Sequence, residues 1–172
     1  FATAFSAGPS ATPKEQTIAS AGFRSMKGGQ IPPFTFSSVD GKKYHVSEFA
    51  GRLLLLHFWS SSSEETLREL TPLGNLQQEF AKDRLQVLHI CTDETDPYIA
   101  QNSLSSLRPG IHTVTEVSGL NVKHYVTGKV PGLWLIDPQG NLIAVSTPLR
   151  DVSSPSMRAM IMDWLPKGEL KK

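Results

Sequence analysis

The chain has 172 residues, a formal net charge of +1 and 39% hydrophobic residues. This length suits one domain with a full core, and the near-neutral charge gives no support for nucleic-acid binding. No apolar run approaches the ~20 residues that cross a bilayer. Because Cys91 is the one cysteine, the sequence excludes both an internal disulfide and dithiol chemistry within one chain.

Residues 1–30 are rich in Ala, Ser, Gly and Thr and show no apolar period. This composition is typical of a flexible segment or of the remainder of a targeting region. The sequence therefore predicts a flexible N-terminal tether over residues 1–30, which could attach the chain to a membrane. It predicts one folded domain over residues 31–172.

A β-hairpin is predicted at the start of that domain. Residues 31–36 form the first strand, Asp40-Gly41 is a tight-turn signal, and residues 43–46 form the returning strand. Ser47 is predicted to cap the short turn that follows, and Gly51 closes it.

Residues 53–59 are an unbroken apolar run containing a single histidine, His57, which is typical of a strand buried on both faces. The four serines at 60–63, followed by two glutamates, are a helix-start signal. Backbone N–H groups and the positive end of a helix point outward at such a turn, so it is the candidate functional region. The helix is predicted to reach residue 80, with a kink at Pro72 and one apolar stripe: Leu67, Leu70, Leu73, Leu76 and Phe80.

The second half of the chain continues the alternation of strand and helix. A buried strand is predicted over 85–91, a helix over 97–107 and a short strand over 111–117. A hairpin of strands 133–136 and 142–145 follows, and then a helix that begins at Ser154-Pro155. This order predicts an α/β sandwich with a central mixed β-sheet flanked by helices.

Several landmarks resemble those of the thioredoxin-fold proteins of the TlpA/ResA and AhpC/TSA group, over about residues 31–165. They are, in chain order, Asp40-Gly41-Lys42, Phe58-Trp59 and Pro131-Gly132-Leu133-Trp134. The resemblance implies a thioredoxin-like fold with an N-terminal β-hairpin extension. It also implies a cis bond between Val130 and Pro131. The location it implies is an exported one, periplasmic or membrane-tethered, with an organelle as the alternative.

The reductases of this family carry a Trp-Cys-x-x-Cys motif that the resemblance places over residues 62–66. Its tryptophan falls on Ser62 and its two cysteines fall on Ser63 and Thr66, so both thiols are missing. The peroxidatic cysteine of the peroxiredoxin relatives and the cysteine pair of the copper-carrying relatives are missing as well. The family's helix proline falls on Thr71, one residue before Pro72. The resemblance therefore implies no catalytic residue, metal or cofactor of the family's usual kinds.

Other candidate residues have a structural interpretation that is favoured over a chemical one. Ser63 and Thr66 lack a positioned base in the sequence around them, so helix capping is favoured over a nucleophile. His57 and His89, on neighbouring buried strands, could share a metal or a proton. Core histidines with satisfied hydrogen bonds are favoured, because a metal site would need a third ligand. Cys91 ends a buried strand, where a thiol usually packs as a small hydrophobic group.

The sequence thus favours a redox-inactive thioredoxin-fold protein that binds an extended peptide or protein partner by strand addition. The partner would lie in the groove beside Pro131, for which the predicted residues are Trp59, Ser62, Ser63, Glu64, Val130 and Pro131. Trp59 could instead be a plain core residue. One alternative function is a thiol-disulfide oxidoreductase that uses Cys91 or a partner's thiol. Another is a structural subunit of a larger assembly.

Overall fold

The computed structural model describes residues 12–26, 29–38, 41–59, 64–91, 111–118, 132–146 and 152–166, with the backbone alone at 65, 66, 83, 91 and 111–118. The helices in these ranges are α1 Pro13–Ser20, α2 Glu64–Phe80 and α3 Pro155–Trp164. The strands are β1 Arg24–Ser25, β2 Thr35–Ser38, β3 Lys43–His45, β4 Leu53–Trp59, β5 Leu85–Cys91, β6 Ile111–Ser118, β7 Leu133–Ile136 and β8 Leu142–Ser146.

The strands form one mixed sheet in the order β1-β8-β7-β4-β5-β6-β2-β3. The two apolar strands β4 and β5 are parallel neighbours at its centre, and β6 continues the parallel part. β7 pairs antiparallel with the other side of β4. The predicted hairpins β2–β3 and β7–β8 are both present. The predicted α/β architecture, a central mixed sheet flanked by helices, is confirmed.

Strand β4 is buried on both faces, as its unbroken apolar run predicts. Leu53 and Leu55 pack beneath the helices, in a cluster that contains residues of α1, α2 and α3. Leu54 and Leu56 belong to a second cluster on the opposite face. That cluster is rich in aromatic residues: Phe34, Phe36, Phe49, Phe58 and Trp134. The sheet therefore separates two core layers, and α2 covers the first of them.

Helix α2 buries the predicted stripe against the sheet. Leu70, Leu73, Leu76 and Phe80 are all buried, and Leu67 is half-buried. Pro72 lies inside the helix, as the sequence requires.

A buried glutamine on α2 supplies hydrogen bonds to a part of β5 with which the described part of β6 does not pair. Strand β6 pairs with β5 over Leu88–Ile90. Ahead of that stretch, Gln77 Oε1 accepts from the backbone N–H of Val87 at 2.6 Å, and Gln77 Nε2 donates to the carbonyl of Leu85 at 2.8 Å. Gln86 Nε2 donates to the same Gln77 oxygen at 3.1 Å. The amide of Gln77 thus substitutes for a neighbouring strand at this end of β5.

The expectation of a flexible tether does not hold for residues 12–26. Helix α1 begins with a capping box in which Thr12 and Glu15 bond each other's backbone N–H groups, and Ile18 is buried in the main core. Strand β1 then pairs with β8. The apolar periodicity of the sequence does not predict this helix, because Ile18 is its one buried residue. The sequence Thr12-Pro13-Lys14-Glu15 nevertheless matches a helix start.

The short turn after β3 is capped by a different residue from the one predicted. His45 Nδ1 accepts from the backbone N–H of Ser47 at 3.1 Å, and Glu48 Oε2 accepts from the backbone N–H of His45 at 2.8 Å. The predicted Ser47 cap is wrong because the imidazole of His45, two residues earlier, takes that place. The helix start predicted at Ser154-Pro155 is confirmed, and the Ser154 hydroxyl caps it by accepting from the backbone N–H of Met157 at 3.2 Å. The helix predicted over 97–107 lies outside the described residues.

Candidate functional site

The candidate site lies where β4 and β5 end. The two strands run parallel and in register from Leu53 and Leu85 to Trp59 and Cys91, which are paired with each other. The residues on which the resemblance places the lost dithiol motif, 62–66, begin three positions after Trp59 in the chain. Cys91 therefore lies at the same edge of the sheet as Trp59. In open α/β sheets, ligands bind outside the carboxyl ends of the strands, which is this edge.

The segment that carries Pro131 reaches the same edge. The backbone N–H of Phe58 donates to the carbonyl of Gly132 at 3.3 Å. Gly132 follows Pro131 directly and leads into β7. Chain connectivity thus brings the end of β4 and the start of β7 together. Ser62, Ser63, Val130 and Pro131 themselves lie outside the described residues, so the cis bond remains a prediction.

Two predicted groove residues are described, and they differ from each other. Trp59 is fully buried, with 0% of its surface exposed, so it occupies the place of a core residue rather than that of a groove wall. Glu64 is the first residue of α2 and is exposed. Its carboxylate lies 3.5 Å from the guanidinium of Arg68, one turn along the helix. Of these two residues, Glu64 is therefore the one that solvent can reach.

The two buried histidines lie against each other beneath α2. His57 and His89 are register partners on β4 and β5, and neither side chain is exposed. Their Nδ1 atoms are 3.0 Å apart, and the two rings are perpendicular. The prediction that these residues are neighbours in buried strands is confirmed.

Sequence reasoning missed a third member of this cluster, Glu69. This α2 residue is 5% exposed, and its Oε2 lies 3.1 Å from Nε2 of His57. A carboxylate is rarely buried without a partner, because burial of an uncompensated charge is costly. The signal was in the sequence: Glu69 lies four residues before Leu73 and seven before Leu76, so it falls on the buried stripe.

The contact between the two imidazoles constrains where their hydrogen atoms lie. A neutral imidazole carries one N–H and one acceptor nitrogen. The 3.0 Å separation of the two Nδ1 atoms therefore requires that one ring donates from Nδ1 and the other accepts. The carboxylate of Glu69 faces the other side of the His57 ring as an ion-pair contact at 3.1 Å.

A cavity of about 300 Å³ lies elsewhere in the molecule. It is lined by residues before and at the start of β4, such as Arg52 and Leu54, and by the β7–β8 turn around Pro138. It therefore lies at the opposite end of β4 from the candidate site and contains none of the residues predicted to form the groove.

A family model supplies the identification of this fold. The AhpC/TSA family model matches residues 28–145, which is more than half of the chain. The chain belongs to the AhpC/TSA family. The resemblance read from the sequence is thereby confirmed. The single cysteine means that this member lacks the cysteine pair of the family's reductases.

Relatives of this AhpC/TSA protein carry names from thiol-disulfide chemistry. The thiol-disulfide oxidoreductase ResA of Bacillus thuringiensis subsp. konkukian (strain 97-27) is 23% identical over 116 residues, which span 67% of this chain and 66% of that one. The chain thus covers slightly less than two thirds of that relative's length. ResA of Bacillus subtilis (strain 168) is 22% identical over 139 residues, spanning 81% of this chain and 74% of the relative.

A solved structure confirms the fold. The structure assigned as the thiol:disulfide interchange protein DsbE from Chlorobium tepidum matches with a TM-score of 0.70 and 19% identity, over 83% of this chain and 99% of that one. At this identity the likeness shows the thioredoxin-like fold alone. In the described part of the chain, no helix is both long and apolar enough to span a bilayer.

Proposed function

We propose that this AhpC/TSA-family protein binds a protein partner in extended form and performs no dithiol exchange itself. One observation carries the proposal: the chain has a single cysteine. Disulfide reduction needs one thiolate to attack and a second thiol to resolve the mixed disulfide. Ser63 and Thr66 stand at the motif positions that the resemblance assigns to those thiols. Binding is the part of the family's action that needs neither of them.

The partner is proposed to bind along the segment that leads into β7. An extended segment can add to this backbone by strand pairing, and such pairing requires no thiol. The contact between Phe58 and Gly132 supports the proposal, because it holds this segment at the edge where Glu64 is exposed. The same resemblance supports an exported location for the protein, periplasmic or membrane-tethered, with an organelle as the alternative.

A proline substitution tests this binding mode. Val130→Pro removes a backbone N–H donor ahead of Pro131, and we expect it to weaken binding of a thiol-free, permanently unfolded model protein. The fold should persist, as judged by far-UV circular dichroism and thermal melting. Unchanged binding by a folded Val130→Pro variant would count against the groove and favour docking through another surface, as expected of a structural subunit.

A second candidate function rests on the position of Cys91. Its register pairing with Trp59 places it at the edge where the family's relatives carry out their chemistry, and the names of those relatives favour this candidate. In this scheme the Cys91 thiolate attacks a partner's disulfide. A bond forms between Cys91 and one partner sulfur, and the other partner sulfur leaves as a thiolate. A thiol of a partner then attacks the mixed disulfide and releases Cys91.

Thiol labelling separates the two candidates. A buried, structural thiol should react with an aromatic disulfide reagent only after the chain is unfolded, so native Cys91 is expected to react at least tenfold more slowly than Cys91 in denaturant. Fast native labelling, together with a trapped mixed disulfide that Cys91→Ser abolishes, would favour the second candidate. The Cys91→Ser variant should bind the unfolded probe as tightly as the native chain if the first candidate is correct.

A further inference from the structure

The cavity at the start of β4 lies far from the proposed partner edge, and backbone hydrogen bonds hold its walls together. The backbone N–H of Ile31 donates to the carbonyl of Gly140 at 3.0 Å, and that of Gly51 donates to the carbonyl of Pro138 at 3.0 Å. These bonds tie the segment before β2 and the turn before β4 to the β7–β8 turn. The cavity is therefore formed before any ligand arrives, which lowers the cost of binding.

The larger part of the cavity wall is apolar, and its volume suits a small organic molecule. Pro33 and Ala50 on this wall are exposed, so solvent reaches the cavity. An apolar cavity of about 150 Å³ binds benzene. A volume of about 300 Å³ therefore has room for a ligand of about a dozen non-hydrogen atoms. The apolar residues of the lining are Ile31, Pro33, Val46, Phe49, Ala50, Leu54, Ile136 and Pro138.

Arg52 brings a positive charge to this lining, and most of its donors are left for a ligand. An arginine side chain presents five N–H donors in a planar fork. Nη1 of Arg52 lies 3.5 Å from Oε1 of Gln86, which is a neutral acceptor at the limit of hydrogen-bond distance. None of the ion pairs among the described residues includes Arg52. A carboxylate matches such a fork, because its two oxygens can accept two parallel N–H bonds.

The carboxylate on the lining, that of Asp137, is already used within its own turn. Its Oδ1 accepts from the backbone N–H groups of Gln139 at 3.0 Å and Asn141 at 2.9 Å, and its Oδ2 accepts from Nδ2 of Asn141 at 3.2 Å. The imidazole of His45 adds a donor to the lining. Because its Nδ1 accepts from the backbone N–H of Ser47 at 3.1 Å, the neutral ring carries its hydrogen on Nε2. This balance of donors favours an anionic ligand.

We propose that this cavity binds a small monocarboxylate with a compact apolar body, such as an acid that carries a benzene ring on a short alkyl chain. The carboxylate pairs with the guanidinium of Arg52, which is exposed, and the apolar body packs against the wall that contains Phe49. The site lies at the opposite end of β4 from the segment that carries Pro131. The monocarboxylate and the proposed protein partner therefore bind to separate surfaces.

Binding of 4-phenylbutyrate to the full chain, followed in ¹H–¹⁵N NMR spectra, tests the proposal. The probe should bind one site with a dissociation constant of about 1 mM or lower. Two matched probes separate the parts of the ligand: 4-phenylbutanamide keeps the shape without the charge, and acetate keeps the carboxylate without the ring. Each should bind at least tenfold more weakly. Arg52→Gln should lower the affinity for 4-phenylbutyrate at least fivefold and leave the affinity for the amide unchanged.

Arg24 provides the matched control, because it carries the same charge and does not line the cavity. Arg24→Gln should bind 4-phenylbutyrate as the native chain does. In the native chain the probe should shift the amide signals of Gly51 and Gly140 and leave that of Gly132 unchanged, which keeps the proposal testable if Arg52→Gln fails to fold. The absence of saturable shifts at Gly51 and Gly140 overturns the proposal. So does equal binding of the amide or of acetate, full affinity in folded Arg52→Gln, or an equal loss of affinity in Arg24→Gln.

Discussion

Replacing Gln77 with leucine isolates the hydrogen bonds that this side chain makes to the end of β5. Leucine has a similar size and keeps the helix propensity high, but it leaves the Val87 N–H and the Leu85 carbonyl without the Gln77 amide that bonds them at 2.6 and 2.8 Å. Each buried backbone group that loses its partner costs about 1–3 kcal/mol. The free energy of unfolding should therefore fall by about 4 kcal/mol in total. For a chain of this size such a loss lowers the melting temperature by about 8–16 °C.

Gln78 provides the matched control for this experiment. It lies one residue further along α2 and is exposed, so Gln78→Leu should change stability by less than about 0.5 kcal/mol. Urea unfolding followed by circular dichroism measures both variants, and equal m-values would show that the comparison is valid. If Gln77→Leu unfolds at the same urea concentration as Gln78→Leu, the proposed role of Gln77 as a substitute for a missing strand is refuted.

Three further predictions address the N-terminal helix, the C-terminal helix and the lost motif. Ile18→Ala should lower the free energy of unfolding by about 2–5 kcal/mol, because Ile18 is part of the main core. Ser20→Ala, at the exposed end of α1, should lower it by less than about 0.5 kcal/mol. Equal effects of the two substitutions in urea unfolding would contradict a core role for α1. Ser154→Ala should cost about 1 kcal/mol through loss of the N-cap of α3, and an unchanged melting temperature would show that this cap contributes nothing. Ser63→Cys combined with Thr66→Cys should form an intramolecular disulfide under mild oxidation, seen as the loss of two titratable thiols; a folded variant that never forms it would show that the motif is placed wrongly.

The parts of the fold that the sequence predicts are those set by local pattern. The stripe on α2 has the period of a helix, whereas the apolar run of β4 has the short length and the flanking turn residues of a buried strand. The turn with Gly41 predicts the β2–β3 hairpin in the same way, because a positive φ there favours glycine and the observed φ is +85°.

The parts that it does not predict depend on contacts between distant segments. The register that sets His57 against His89 arises from the packing of whole strands, and no local signal fixes it. The contact between Glu69 and His57 depends on how α2 lies across the sheet. Trp59 has the sequence context of a groove residue, yet its burial is decided by the chain around it. The single buried side chain of α1, Ile18, is too weak a pattern to predict a helix in a segment of small polar residues.

The most direct test of the central claim is the reduction of insulin disulfides with dithiothreitol as the electron source. The native chain and the Cys91→Ser variant are measured side by side by the precipitation of reduced insulin. Because the chain has one cysteine and turnover needs an attacking and a resolving thiol, both proteins should give the uncatalysed rate. A native chain that accelerates precipitation, with the acceleration lost in Cys91→Ser, would contradict the claim that this family member acts by binding alone.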